Sequence, residues 1–217
     1  MTMKVRWLGH ASFLITSESG VRIITDPFIA SQGLKYREID EAADIVTVSH
    51  DHFDHNNVAA VAGNPQVVNT AEPTEIRGIG LRGVKTFHDT NLGKDRGPNI
   101  IFCMLVDGVR LCHLGDLGHD LSEEQVKAIG EVDVLLVPVG GFFTIDARVA
   151  TDVVARIKPR VAIPMHFKND RCDFPIAPVD DFLAGKPSVR QIDGTEVEFK
   201  AGQLPAATEV VVLQPQC

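Results

Sequence analysis

The sequence predicts one layered α/β domain in which sheets are covered by helices, and three observations carry that prediction. Short apolar runs bounded by Gly, Asp and Pro recur from end to end, helical patterns fall between them, and no linker or low-complexity tract divides the chain. At 217 residues, with 44% hydrophobic and 23% charged side chains, a single domain over 1–217 can bury a sizeable core.

The elements follow in order. "KVRWLGHASFLIT" and "VRIITD" read as strands separated by the turn signal Ser19-Gly20, and "ADIVTVS" as another. "VKTF" leads into His88, "NIIFCMLV" and "VRLCHLG" flank a hairpin turn at Asp107-Gly108, "VDVLLVPV" follows, and "RVAIPM" leads into His166. Further strands are expected near 189–199 and 208–213. Helices are expected at 56–62, at 122–129 where Ser122 and Gln125 form a capping-box pattern, at 146–157 stopped by Pro159, and around 178–184. "GIGLRG", Gly78 to Gly83, matches G-x-G-x-x-G, but a dinucleotide loop must follow a strand and open a helix, whereas β-like "VKTF" follows here, so a turn is expected.

Composition narrows the function classes. A formal net charge of −8 gives no basic field for a long nucleic acid, so a small-molecule substrate is the expectation. The N-terminal apolar stretch is broken by Gly9, His10 and Ser12, and no run approaches the ~20 residues of a membrane span. Cys103, Cys112, Cys172 and Cys217 lack CxxC spacing and predict reduced thiols in a cytoplasmic protein. A homo-oligomer is compatible with this reading, without an assignable surface.

The densest chemical signal is "TVSHDHFDHNN", residues 47–57, directly behind an apolar run. His50, His52, Asp54 and His55 form H-x-H-x-D-H, in which alternate residues of a turn point one way while the next pair swings to a neighbouring position. Imidazole and carboxylate donors suit Zn²⁺, Mn²⁺ or Fe, and a site without thiolates leaves coordination positions open for water and substrate. Nearly every other candidate donor sits at a strand's end, which places the site along one edge of the sheets.

"SHDHFDH", "FHDT", "HLGDLGH" and "IPMHF", in that order behind "WLGHASFLI…TDPF", resemble the metallo-β-lactamase superfamily, in its compact branch near the ascorbate-6-phosphate lactonases. The resemblance covers essentially the whole chain. It implies a four-layer αββα sandwich with two divalent metal ions, Zn or Mn with Fe as a further option, between the sheets. It also implies a ligand set: His50, His52 and His88 for one ion, Asp54, His55 and His166 for the other, and Asp116 bridging both. A carboxylate can span two metals ~3.5–4 Å apart, in agreement with the last assignment. His113 competes with His88 for the middle position.

Other residues have two readings each. His10 and Asp26 either orient a ligand through its outer polar atom or make ordinary buried hydrogen bonds. His119 either donates a proton to a leaving group or is a solvated helix-start residue. Lys94 and Arg96, in the loop "NLGKDRGPN" behind His88, and Lys168 and Arg171 behind His166, supply candidate cations for a phosphate or carboxylate. The expected chemistry is hydrolysis of an ester-like bond, a phosphodiester or a lactone, by a metal-bridged hydroxide, with Asp54 and Asp116 as its catalytic carboxylates. Iron-dependent redox chemistry and a non-catalytic metal-binding role are the alternatives.

Overall fold

In the computed structural model, which describes residues 1–216, two sheets carry nearly all of the regular structure; Cys217 lies outside the described residues. The first sheet holds β1 (Thr2–Gly9), β2 (Ser12–Thr16), β3 (Arg22–Thr25), β4 (Ala42–Thr47) and β5 (Ala62–Val68). The second begins with β6 (Thr74–Ile76), β7 (Ile79–Phe87), β8 (Pro98–Val106) and β9 (Val109–His113), then β10 (Val134–Pro138) and β11 (Val161–Met165). Three late strands split between the sheets: β12 (Val189–Gln191) and β14 (Glu209–Val212) extend the second, and β13 (Glu196–Lys200) returns to the first. The orders are β13-β1-β2-β3-β4-β5 and β12-β14-β11-β10-β9-β8-β7-β6.

Alternation along the strands builds the layers. Val5, Trp7, Phe13, Ile15 and Ile45 of the first sheet share the larger core with Ile101, Leu111 and Leu136 of the second. Leu14, Ile24 and Val46 point the other way, into a smaller core with Phe28, Leu34, Tyr36 and Ile39. β10 and β11 are buried at every position, as parallel strands covered on both faces must be.

The helices are α1 (Glu123–Ile129), α2 (Ala147–Ile157) and α3 (Val179–Leu183). Ser122 and Gln125 close the expected capping box on α1. Asp146 caps α2, whose Ala150, Val153, Val154 and Ile157 repeat at helical spacing into the larger core, and Lys158 ends it in a left-handed conformation before Pro159. The helical cover thus lies with the second sheet. Over the outer face of the first sheet, residues 27–41 cross as irregular chain.

Four expectations are corrected. The helix at 56–62 is a single 3₁₀ turn, Val58–Ala60, because Asn57 is tied by its side chain to the Phe28 carbonyl and Val61 runs extended into β5, a strand the sequence reading missed. "KVRWLGHASFLIT" is a hairpin, since Gly9 and His10 take positive φ (132° and 51°) and fold β2 back on β1. The run 189–199 divides into β12 and β13 in different sheets. Within "GIGLRG" only Gly78, with Arg77, makes the turn, and Ile79–Gly83 belongs to β7.

Candidate metal centre

Strand ends deliver the polar residues to one edge. His10 follows β1, Asp26 follows β3, the H-x-H-x-D-H loop follows β4, His88 follows β7 and His166 follows β11. Three of them hold left-handed backbone: His10 (φ 51°), Asp26 (φ 39°) and His166 (φ 53°). Such a conformation costs about 1–2 kcal/mol for a residue with a Cβ, and strain of this kind concentrates where a side chain must be aimed. The His166 N–H donates to the His10 carbonyl at 3.2 Å, which locks two of these turns together.

Close backbone approach completes the edge. Gly118 lies against the peptide joining His88 and Asp89: a Cβ there would fall 2.2 Å from the His88 carbonyl carbon. At Gly140 it would fall 2.3 Å from the His166 carbonyl oxygen. These contacts draw the Asp116 loop onto His88 and the segment after β10 onto His166.

The donors converge as two groups around one carboxylate. His50, His52 and His88 place ring nitrogens within 4.8 Å of one another, and so do the donors of His10, Asp54, His55 and His166. Asp116 Oδ2 sits between the groups, 3.2 Å from His55 Nε2, 3.1 Å from His88 Nε2 and 3.3 Å from His166 Nε2.

The donor chemistry fits divalent ions. Nε2 of His50, His55, His88 and His166 and Oδ1 of Asp116 are buried without a hydrogen-bond partner. An unsatisfied buried polar atom costs about 1–3 kcal/mol, so a cluster of them is unstable unless something coordinates it. Burial, with neighbouring imidazoles, pushes His10 down to about 4 and His50 down to about 3, leaving neutral rings with a lone pair to offer. His55 goes the other way: although burial opposes it, the Asp116 and Asp54 carboxylates hold its proton well above the ordinary range. Asp116 is held well below the carboxylate range by His166 and His55 against the cost of burial. His50, His52 and His88 would hold one ion, and Asp54, His55 and His166 a second, with Asp116 reaching both.

Outer polar groups fix the donors. Asp26 accepts the Ser49 N–H (2.8 Å) and hydroxyl and pairs with His55 Nδ1 (2.9 Å), leaving His55 Nε2 for the centre. Ser49 Oγ also contacts His50 Nδ1 at 2.9 Å, so one carboxylate orients two imidazoles. His10 Nε2 lies 3.3 Å from Asp54 Oδ2, which gives His10 an orienting role toward a carboxylate. Sequence reasoning missed Ser49, Asn99 and Asp89. Asn99 Oδ1 accepts the Asp116 N–H, and Asp89 accepts the N–H groups of Asn91, Gly93, Asp95 and Arg96. Despite its desolvation, these four donors draw the Asp89 carboxyl down to about 2, so the loop is anchored wherever Asp89 is ionised.

The remaining expectations separate. His113 lies away from the cluster, with Nε2 on the Ala11 carbonyl (2.8 Å) and Nδ1 accepting the Gly115 N–H, so neither nitrogen is free for a metal. His119 is bound to backbone at both nitrogens, accepting from Phe87 N–H and donating to the Asp120 carbonyl, and it lies outside the cleft; the expected proton donor is not there. A cleft of about 510 Å³ opens over His52, Asp54, His88 and Asp116 between Phe53, Phe143 and Phe174. Of the four candidate cations only Arg96 lines it, its guanidinium 5.4 Å from the centre of the Phe143 ring and, among the described residues, without a carboxylate partner. Lys94 and Arg171 are exposed elsewhere, and Lys168 donates to the Phe174 carbonyl.

A two-sheet sandwich with helices over its second sheet, whose strand ends carry a thiolate-free His/Asp cluster, defines a mixed α/β domain with a candidate metal centre. A family model described as the β-lactamase superfamily domain matches residues 4–166. A protein of Carboxydothermus hydrogenoformans described as a UPF0173 metal-dependent hydrolase is 33% identical over 194 residues, 77% of this chain and 85% of the relative. A similarly described protein of Methanopyrus kandleri is 26% identical over 98% of this chain and 97% of its own length. Among solved structures, a metallo-β-lactamase superfamily protein of Thermotoga maritima is 40% identical, with a TM-score of 0.83 over 99% of this chain and all of the other. The chain belongs to the metallo-β-lactamase superfamily.

Proposed function

We propose that this protein is a metal-dependent hydrolase that cleaves an ester-like bond, a phosphodiester or a lactone, in a small anionic substrate. The observation that carries the reading is Asp116 Oδ2 lying within 3.3 Å of three imidazole Nε2 atoms drawn from both donor groups. Two Zn or Mn ions held there would lower the pKa of a bound water toward ~7 and polarise the scissile group. The chain's own residues do the rest. Asp54, held by His10, faces the cleft and orients the attacking water. Phe53, Phe143 and Phe174 exclude bulk water, and Arg96 meets the substrate's anionic group as a planar, always-charged fork. The names of the Carboxydothermus and Methanopyrus relatives support hydrolysis, and the thiolate-free donor set supports an open, reactive centre.

The test is metal content by mass spectrometry on protein purified without chelator or metal-affinity tag, paired with assays on phosphodiesters and lactones. About two Zn or Mn per chain with hydrolysis of one class is the expected result. Dominant iron with oxygen consumption, or no metal after reconstitution, would overturn it.

Two smaller effects follow. Asp26→Ala releases both His55 and Ser49, and is expected to weaken metal binding about 10–100-fold in a chelator competition. Arg96→Ala is expected to raise KM for an anionic substrate roughly tenfold or more, whereas Lys94→Ala and Arg171→Ala leave it unchanged. An unchanged KM in the Arg96 variant would remove its role.

A further inference from the structure

The cysteine spacing predicts reduced thiols, and Cys103 and Cys112 are free in the structure, yet the register of the second sheet sets these two side by side. Cys103 on β8 and Cys112 on β9 are direct cross-strand partners, with Sγ atoms 3.3 Å apart. The hairpin turn between them is tight: Asp107 and Gly108 both take positive φ (52° and 79°), and Val106 pairs with Val109. With a two-residue turn of this kind the first pair is hydrogen-bonded and the pairs alternate. Cys103 and Cys112 are the third pair beyond it, which makes theirs a non-hydrogen-bonded position. There, Cα atoms approach to about 4.5 Å, inside the range a disulfide spans without backbone movement.

The pair lies in a built setting. His113, next along β9, points to the first sheet, where it reaches the Ala11 carbonyl, so the neighbouring Cys112 faces the opposite way. On that outer face a groove of about 420 Å³ is lined by Glu75, Arg82, Cys103, Arg110, Cys112 and Glu131, among others. Arg82 of β7 is the register partner of Cys103, so Arg82, Cys103 and Cys112 form a row across three strands. No residue of this groove lines the metal cleft.

We propose that Cys103 and Cys112 are a redox-active dithiol, a second reactive site that small disulfides convert into an intramolecular cross-strand disulfide. Cys103 is the attacking group. It is 8% exposed against 0% for Cys112, and the Cys112 thiol and the Arg82 charge both favour its thiolate. Its sulfur attacks one sulfur of the incoming disulfide R–S–S–R, forming a mixed disulfide and releasing the first thiolate. Cys112 then surrenders its proton, attacks Cys103 Sγ and expels the second. Two protons from the cysteines end on two RSH, and two electrons pass from the protein to the reagent. The product staples β8 to β9 four residues before Asp116.

The test uses the full metal-loaded chain. After exposure to oxidised glutathione, acid quenching, denaturation and alkylation, trypsin cuts at Arg96, Arg110 and Lys127 and places the two cysteines on separate peptides, 97–110 and 111–127. The expected result is one linked species lighter by two hydrogens, which dithiothreitol separates. In Cys112→Ser the mixed disulfide on Cys103 has no resolving partner and should accumulate. Two alkylated peptides from oxidised wild type, or a link made through Cys172, would overturn the proposal.

Discussion

Asp116→Ala is expected to abolish turnover and to strip metal from both positions of the centre together. The reason is geometric: its Oδ2 lies within 3.3 Å of imidazole nitrogens from both donor groups, so its loss is felt by both at once. Loss of a group that only orients a ligand costs about 10–100-fold, and the loss here should exceed that range. Electrostatics adds to the effect. Burial opposes the Asp116 charge, yet His166 and His55 keep the carboxyl ionised, and its removal takes a counter-charge from the buried rings. The measurement is metal per chain and kcat/KM side by side, with circular dichroism to establish that the variant folds. Near-wild-type activity in a folded Asp116→Ala protein would sink the proposed mechanism.

Gly118→Ala should do comparable damage without touching a donor atom. The added methyl would sit 2.2 Å from the His88 carbonyl carbon and 2.3 Å from the Asp89 nitrogen, distances no real Cβ tolerates, and both obstacles are backbone. The loop carrying Asp116 must therefore move off the end of β7 by about 1 Å, and a misplacement of that size can cost ~10²-fold in rate. Overpacking should also lower stability by about 1–3 kcal/mol. Gly80→Ala is the control, since nothing lies within 4 Å of its added methyl. A Gly118→Ala enzyme as active and as stable as the Gly80→Ala control would show that the two loops are free to adjust.

The sequence carried much of this site because metal ligation demands rare residue types at short spacing. His50, His52, Asp54 and His55 announce themselves within six positions, and His88, Asp116 and His166 each stand just past an apolar run. The capping box of α1 was legible for the same reason: a local pattern with a local cause. What stayed hidden depends on distant partners. Nothing in "AGNPQVV" marks a strand until β4 lies beside it, and nothing in Ser49, Asn99 or Asp89 discloses which backbone or carboxylate each will meet. His119 misleads in the opposite sense, because its place two residues after the Asp116-Leu117 step suggests the cleft while backbone bonds hold both of its nitrogens outside. The resemblance placed His88 ahead of His113 in the ligand set, and the physical reason, that His113 faces Ala11 across the sandwich, is visible only in the fold.

The irregular chain over the first sheet has a consequence for how this enzyme could change its substrate. Phe28, Leu34, Tyr36 and Ile39 seal a core, while Gln32, in the same short stretch, stands on the wall of the cleft. A surface loop can usually be exchanged wholesale to retool specificity; this one cannot, because it is also the lid of a hydrophobic interior. Natural variation or laboratory evolution on this scaffold should therefore explore new substrates by point changes at Gln32 and the neighbouring Ser31. Longer grafts across 27–41 should trade recognition against folding.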